Sequence, residues 1–358
     1  MMGVVGQTVK VMVVDDSAFM RKFIGDIIRG DAELELVGTA RDGYDALEKC
    51  KVLNPHVITM DVEMPRMNGL DTLRKLMQDS PLPVVMVSSL TREGSEITIE
   101  ALTSGAVDFV TKPAIFKGES PAGLKVELLQ KIKTAARARL HQHRANEGKP
   151  APFNPLPQNK ELQRIGMASY FPRNIVAIGA STGGPRALDA LFRQLPEGLP
   201  AAFFITQHMP AGFTESLSQR LDRVSGLKVR EAKGGERARE GEAYVAPGGY
   251  HLVVNKMGIT VLSSAPMVQH VRPSADVMMD ALAELFGKVV IGVILTGMGR
   301  DGANGMSRIK AKGGRIIVQD PATAVISSMP QSVINNGNVD LVVPLEQMGM
   351  SITRLLHG

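Results

Sequence analysis

A serine, a histidine and an aspartate in the second half of the chain each follow an apolar run, and together they supply the groups that activate a hydroxyl for attack on a carbonyl. Ser181 lies in Gly179-Ala180-Ser181-Thr182-Gly183, a G-x-S-x-G window between an apolar run and a helix opening at Pro185. Flanking glycines permit the strained turn that lifts a serine hydroxyl above the end of a sheet. Pro185 has no N–H to lose in the first helical turn, so the helix starts there and points its amides back at the turn. His208 ends AAFFITQH, and Asp301 sits in the glycine-rich turn after KVVIGVILTG. A hydroxyl is a poor nucleophile until an imidazole takes its proton. A carboxylate then fixes the tautomer of that imidazole and stabilises its charged form.

The elements that must position these groups are three continuous apolar runs of strand length, the pattern of parallel strands buried on both faces. The carboxyl ends of such strands lie along one edge of an α/β sheet, where Ser181, His208 and Asp301 can meet. His251, beginning HLVV, and His270, near VRPSAD, are expected to be ordinary packing or surface residues. Asp276 and Asp280 fall in helical sequence and are expected to be solvated. The order Ser, His, Asp differs from the Ser, Asp, His of α/β-hydrolases, so G-x-S-x-G does not import that fold. A phosphate loop is excluded because Pro185, not lysine, follows Gly184.

A competing reading takes Gly297-Met298-Gly299-Arg300-Asp301-Gly302 as the G-x-G-x-x-G turn of a dinucleotide-dependent oxidoreductase, with Asp320 as the ribose-binding acid. Against it, Asp301 would put a carboxylate where a pyrophosphate must lie, and Ser181 with His208 would be left without a role. A non-catalytic regulator that works by binding is the third reading.

The first half carries a second constellation. VKVMVVDD, LELVGTA, HVITMD, PVVMVSS and VDFVTKP alternate with amphipathic stretches, which predicts a doubly wound sheet of five parallel strands. Asp15 and Asp16 end the first strand, Asp61 the third, Ser88 the fourth and Lys112 the fifth. Three converging carboxylates repel one another unless a hard cation such as Mg²⁺ sits among them. Asp16 alone would be read as a helix cap, but the five positions together would not.

The chain of 358 residues is long enough for two or three domains, and its 44% hydrophobic content is enough for packed cores. No run of about eighteen apolar residues suggests membrane insertion, and the first residues have no signal-peptide pattern, so a cytoplasmic protein is expected. One cysteine, Cys50, excludes an internal disulfide and a cysteine-based metal site. The net charge of +5 is unevenly spread. Residues 1–133 hold 16 basic and 19 acidic groups, net −3; residues 134–170 hold 6 and 2, net +4; residues 171–358 hold 19 and 15, net +4. The excess lies in a connector and a mildly basic second half without a nucleic-acid-binding motif, so no nucleic-acid partner is expected. A basic helix is expected over Leu128–Leu140, and four prolines between Pro150 and Pro157 mark a stiff linker. The expected division is 1–133, linker 134–170, and 171–358.

VVDDS, MDVEMPRMNGLD, VVMVSS and DFVTKP resemble the receiver domain of two-component response regulators. That resemblance implies phosphorylation at Asp61, Mg²⁺ held by Asp15, Asp16, Asp61 and the main chain of Glu63, and Ser88 and Lys112 contacting the phosphoryl group. Phe109 matches the switch aromatic of the family, and Lys112-Pro113 its cis peptide. AIGASTGGP, ITQHMP, YVAPGGYHL, LTGMGRDGA and VQDPATAVISSMP, in this order behind a receiver, resemble the chemotaxis protein-glutamate methylesterase family, CheB. This second resemblance implies a doubly wound α/β esterase with a Ser181-His208-Asp301 triad, and an oxyanion held with help from Thr182 and the main chain of Met298. The implied reaction is hydrolysis of glutamyl methyl esters on chemoreceptors, with deamidation of receptor glutamines, under a phosphodonor histidine kinase. The opposite charges of the two halves lead to the expectation that the receiver covers the Ser181 edge until Asp61 is phosphorylated. Ser88 would then be drawn to the phosphoryl group and Phe109 would turn inward.

Overall fold

The computed structural model describes residues 8–112, 121–140 and 171–357. The expected Lys112-Pro113 cis bond and most of the expected linker lie outside these residues. The chain divides into two compact units, Met1–Leu140 and His141–Gly358.

In the first unit the elements run β1 (Val9–Val14), α1 (Ala18–Arg29), β2 (Leu34–Ala40), α2 (Gly43–Leu53), β3 (Val57–Asp61), α3 (Gly69–Asp79), β4 (Val84–Ser88), α4 (Arg92–Thr103), β5 (Asp108–Thr111) and α5 (Pro121–Ala135). All strand pairs are parallel, in the order β2-β1-β3-β4-β5. β3 and β4 are buried along their whole length, as their unbroken apolar runs require. The helices after β1 to β4 start on side-chain caps: Ser17, Asp42, Asn68 and Thr91 each accept an N–H of the first turn. Such caps contribute about 1 kcal/mol each. The basic helix begins and ends earlier than predicted. Its buried stripe of Leu124, Leu128, Ile132 and Ala135 runs out at Ala135, and Pro121 suits a first turn.

The second unit continues with β6 (Asn174–Ala180), α6 (Gly184–Phe192), β7 (Ala201–Gln207), α7 (Phe213–Val224), β8 (Lys228–Glu231), β9 (Glu242–Val245), β10 (His251–Val254), β11 (Thr260–Ser263), α8 (Ala275–Phe286), β12 (Val290–Ile294), α9 (Ala303–Ala311), β13 (Arg315–Gln319), α10 (Ser328–Asn335), β14 (Leu341–Val343) and α11 (Leu345–His357). Seven strands form one parallel sheet, ordered β14-β13-β12-β6-β7-β9-β8, while β10 and β11 pair antiparallel as a separate hairpin. Alternate residues of the central strands feed two cores. Ile175, Ala177, Ala202 and Phe204 pack with Met278, Met279 and Leu282 of α8, whereas Phe203 meets Phe192 of α6 edge to face at 6.4 Å between ring centroids. Helices thus cover both faces of the sheet, the doubly wound architecture expected from the sequence.

Strand order reverses beside β6, since the chain first builds outward through β7 and later returns to place β12 on the other side. The loops leaving β6 and β12 therefore flank a topological switch point, where a parallel α/β sheet opens a crevice. Two helices there, α6 and α9, begin on Gly183 (φ 76°) and Gly302 (φ 92°) with no side-chain cap. Positive φ is cheap only for glycine. At Gly183 a Cβ would also come within 2.7 Å of Val325 Cβ.

Candidate active site and receiver pocket

Register brings the first two groups together. β6 and β7 pair through Ala180 and Gln207, so Ser181 and His208 are the next residues off adjacent strand ends, and His208 N–H donates to Ala180 O at 3.2 Å. Asp301 comes from the loop after β12, which pairs with β6 on its other side through Ile294 and Gly179. His208 Nε2 lies 2.7 Å from Asp301 Oδ2.

The Asp301 carboxylate is buried, at 3% exposure, and saturated with donors. Besides His208 it accepts Ser274 Oγ–H (2.7 Å) and Asp276 N–H (3.1 Å) on Oδ1, and Ala275 N–H (2.6 Å) on Oδ2. Burial by itself would raise its pKa. The bond and charge of His208, the Ser274 hydroxyl and the Ala275 amide outweigh burial and hold it below the ordinary value. An ionised Asp301 requires the proton on Nε2 of a neutral His208, which leaves the lone pair on Nδ1 able to accept a proton. The ring is therefore used in the sense opposite to the chymotrypsin arrangement, where Nδ1 meets the aspartate. Among the described residues no hydrogen bond joins Ser181 Oγ to His208.

The turn that carries Ser181 is fixed by its backbone. Ser181 N–H donates to Thr296 O (3.1 Å), and Ser181 O accepts Gly184 N–H (2.7 Å) and Gln207 Nε2 (2.9 Å). Gln207 Nε2 also reaches His208 O at 3.2 Å, so one buried amide ties the serine and histidine backbones together. Thr296 Oγ1 lies 3.0 Å from Thr182 O and 3.1 Å from Ile326 O, and accepts Ile326 N–H at 2.9 Å. Sequence reasoning missed Gln207 and Thr296. Their only signal is a polar residue at the end of an apolar run.

The loop bearing Met298 passes directly over Ser181. A Cβ on Gly297 would come within 2.8 Å of Ser181 Cβ. On either side of Met298 the Gly297 N–H donates to Ile326 O (3.0 Å) and the Gly299 N–H to Ser328 Oγ (3.1 Å), which pins that backbone. Thr182, which follows Ser181, is buried at 8% exposure.

The rival residues lie elsewhere. His251 is fully buried, and both its ring nitrogens are engaged, by Ser274 N–H and Pro266 O. His270 is exposed, at the left-handed turn between the bridged residues Val268 and Val271. Asp280 pairs with Arg308 at 3.2 Å. Asp276 is not solvated as expected: it is buried, accepts Gly305 N–H (2.7 Å) at the start of α9, and takes Gln269 Nε2 (2.8 Å). Burial, with the nearby Asp301 charge adding to it, raises its pKa against those amide bonds. Asp320 caps its own turn through Ala322 N–H (2.8 Å).

In the first unit Asp15, Asp16 and Asp61 can present ligand atoms all within 4.8 Å of one another. Lys112 Nζ donates to Asp61 Oδ2 (2.7 Å) and lies 3.4 Å from Asp15 Oδ2, an atom that is buried and has no hydrogen-bond partner. Burial raises the pKa of Asp15, and it pushes Asp61 up to about 6 with help from the Asp15 charge, although Lys112 opposes both shifts. An orphaned buried carboxylate oxygen beside two more carboxylates suits a hard divalent cation. Glu63 N–H donates to Asp61 Oδ1 at 3.3 Å.

Ser88 Oγ is turned toward α4, 3.2 Å from Gly94 O and 2.7 Å from Thr98 Oγ1. Phe109 is already inside, at 3% exposure, so the expected inward turn is not available from this conformation. Lys131 of α5 holds it there, with Nζ 5.1 Å from the ring centroid, donating to Phe109 O at 2.5 Å and paired with Asp108 (3.2 Å) and Glu127 (2.8 Å).

Residues 11–117 match the response regulator receiver domain, and residues 176–352 match the CheB methylesterase domain. The chain is 46% identical over 364 residues to a protein-glutamate methylesterase/protein-glutamine glutaminase of Pyrococcus abyssi, covering 99% of this chain and 96% of that one. It is 41% identical over 358 residues to the corresponding protein of Thermotoga maritima, covering 98% and 99%. The crystal structure of the Thermotoga maritima CheB methylesterase catalytic domain covers 51% of this chain and 98% of its own, at 43% identity and a TM-score of 0.50. No described helix is long and apolar enough to cross a membrane.

Proposed function

This chain belongs to the CheB family of protein-glutamate methylesterases/protein-glutamine glutaminases with a receiver domain, and from that premise we propose that Ser181, His208 and Asp301 carry out its hydrolytic chemistry. The activity is hydrolysis of glutamyl methyl esters and glutamine amides under control of the receiver. Ser181 Oγ attacks the side-chain carbonyl while His208 Nδ1 takes its proton, and Asp301 orients the ring through Nε2 and stabilises the imidazolium. Nδ1–H then protonates the departing methanol or ammonia, and the acyl-serine is hydrolysed by water that His208 activates in turn. The Met298 main chain and Thr182 help to hold the developing oxyanion, in a loop already pinned on both sides.

The single observation that carries this reading is the His208 Nε2–Asp301 Oδ2 bond of 2.7 Å at the strand end beside Ser181. The dinucleotide alternative is disfavoured by the same bond, because Asp301 is committed to His208 and to the start of α8. The substrates are chemoreceptors, as the family implies, and we assign residues 1–133 to the receiver, 134–170 to the linker and 171–358 to the esterase.

In the receiver, Asp61 accepts the phosphoryl group from a histidine kinase of the chemotaxis system. Asp15, Asp16, Asp61 and the Glu63 main-chain carbonyl would hold Mg²⁺, which when bound offsets the negative charge gathered there. Lys112 and Ser88 contact the phosphoryl group, so Ser88 must leave Thr98 and Gly94 O to do so. Methanol release from methylated receptor, with and without a small phosphodonor, tests the assignment. Undiminished release by a folded Ser181→Ala protein would overturn the nucleophile.

A further inference from the structure

We propose that His251 is a positioning residue for the esterase: through the Ser274 amide it fixes the N-terminus of α8 in the orientation that grips the Asp301 carboxylate. The proposal rests on the reading of Asp301 as the partner of His208. Three of the four donors to Asp301 come from consecutive residues, Ser274 Oγ–H, Ala275 N–H and Asp276 N–H, at 2.7, 2.6 and 3.1 Å. The angle at which the carboxylate meets His208 is therefore set by how the first turn of α8 lies. Ser274 is the hinge of that turn. Its hydroxyl bonds Asp301 and accepts Val277 N–H at 3.4 Å, while its own N–H reaches back to His251 Nδ1 at 3.2 Å.

The approach to α8 is held two residues earlier by the Arg272 guanidinium, which donates to Ser264 O (2.9 Å) and Ala265 O (3.0 Å), and His251 takes the hold at Ser274 itself. Pro273, immediately before Ser274, has no N–H to offer. Arg272 O, one residue earlier, accepts Gly249 N–H at 3.1 Å. His251 itself starts β10, is fully buried, and lies against α8. Its partners dictate one state of the ring. Ser274 presents a donor, so Nδ1 must accept, and Pro266 presents a carbonyl at 3.1 Å, so Nε2 must carry the hydrogen. A continuous line of bonds thus runs His251 to Ser274 to Asp301 to His208, with the last bond 2.7 Å long. His251 touches no reacting atom. It acts by holding the acid that holds the base.

Full-length protein carrying His251→Asn, His251→Gln or His251→Leu separates this role from simple packing. Asn places an acceptor where Nδ1 lies, Gln places its amide where Nε2 lies, and Leu supplies neither. For Leu and Gln, kcat for methanol release should fall about 10- to 100-fold with KM unchanged, the cost of a catalytic group displaced by a fraction of an ångström. Asn should restore kcat to within a few-fold of wild type. The low-field proton resonance of His208 Nε2–H against Asp301 should persist in the Asn variant and shift or broaden in the other two. Wild-type kcat in folded Gln and Leu variants would overturn the proposal, as would Asn being as slow as Gln. Should Leu not fold, the Asn and Gln pair still decides. A Ser181→Ala control that keeps releasing methanol would instead overturn the triad reading, so the two failures are distinguishable.

Discussion

Replacing Asp61 by asparagine should stabilise the receiver in the absence of divalent cations, and by an amount that depends on pH. Asp61 is 2% exposed and stands beside Asp15. Its burial, and then the Asp15 charge, push its pKa from 3.8 up to about 6 against the pull of Lys112. Because the folded-state value lies above the unfolded one, the folded protein binds the extra proton. Its contribution to stability is fully present below about pH 4 and is lost as pH rises through about 6. A shift of about two units corresponds to about 3 kcal/mol at neutral pH. That figure is an upper bound, because Lys112 loses its 2.7 Å partner in the variant. The asparagine side chain cannot ionise, so at pH 7 the Asp61→Asn variant should resist opening by up to that amount, and near pH 3.5 the two proteins should converge. The chain has no tryptophan, so the assay is native-state hydrogen exchange followed by mass spectrometry, reading peptides from β1, β3 and β5 in chelator at several pH values. Added Mg²⁺ should narrow the gap by stabilising the wild type selectively. If the variant were no more protected than wild type at pH 7 without metal, or if a gap persisted undiminished at pH 3.5, ionisation of a buried Asp61 would not be the source.

Ser181→Ala and His208→Ala should each remove nearly all methanol release with the fold intact, and the double variant should be little worse than either, as expected of groups that act as a unit. Asp301→Asn should keep more residual turnover than either, since an amide oxygen still orients the ring without stabilising its charge. A small phosphodonor should add a phosphoryl group at Asp61 by mass spectrometry and accelerate the wild type but not Asp61→Asn; an acyl phosphate at another aspartate would refute the assignment. Thr296→Val should cost about 1–3 kcal/mol in urea unfolding, because Thr182 O and Ile326 N–H lose a partner while Ile326 O keeps the Gly297 N–H. Its kcat should fall with that loss, since the same side chain ties the Ser181 turn to the loop before Met298.

Much of this protein was legible because its signals are local. Unbroken apolar runs such as HVITM and AAFFIT can satisfy themselves only as strands covered on both faces, and that fixes two parallel sheets with functional groups at the strand ends. Asp15, Asp16, Asp61 and Lys112 announced a charged pocket, because they lie at the ends of three strands of one parallel sheet. What such local signals leave open depends on which strands become neighbours. Only the order β14-β13-β12-β6-β7-β9-β8 puts the ends of β6, β7 and β12 side by side. Without it, neither the grip of Gln207 on both Ser181 and His208 nor the hold of Thr296 on the 320s loop is visible. The burial of Asp276 and His251 is decided in the same way, by α8 packing against β10 and α9. Their sequence contexts read as ordinary helix and strand edge. Which nitrogen of His208 faces Asp301 and whether Phe109 points inward are settled last of all, because a side chain chooses its rotamer and tautomer only after partners from distant segments have arrived.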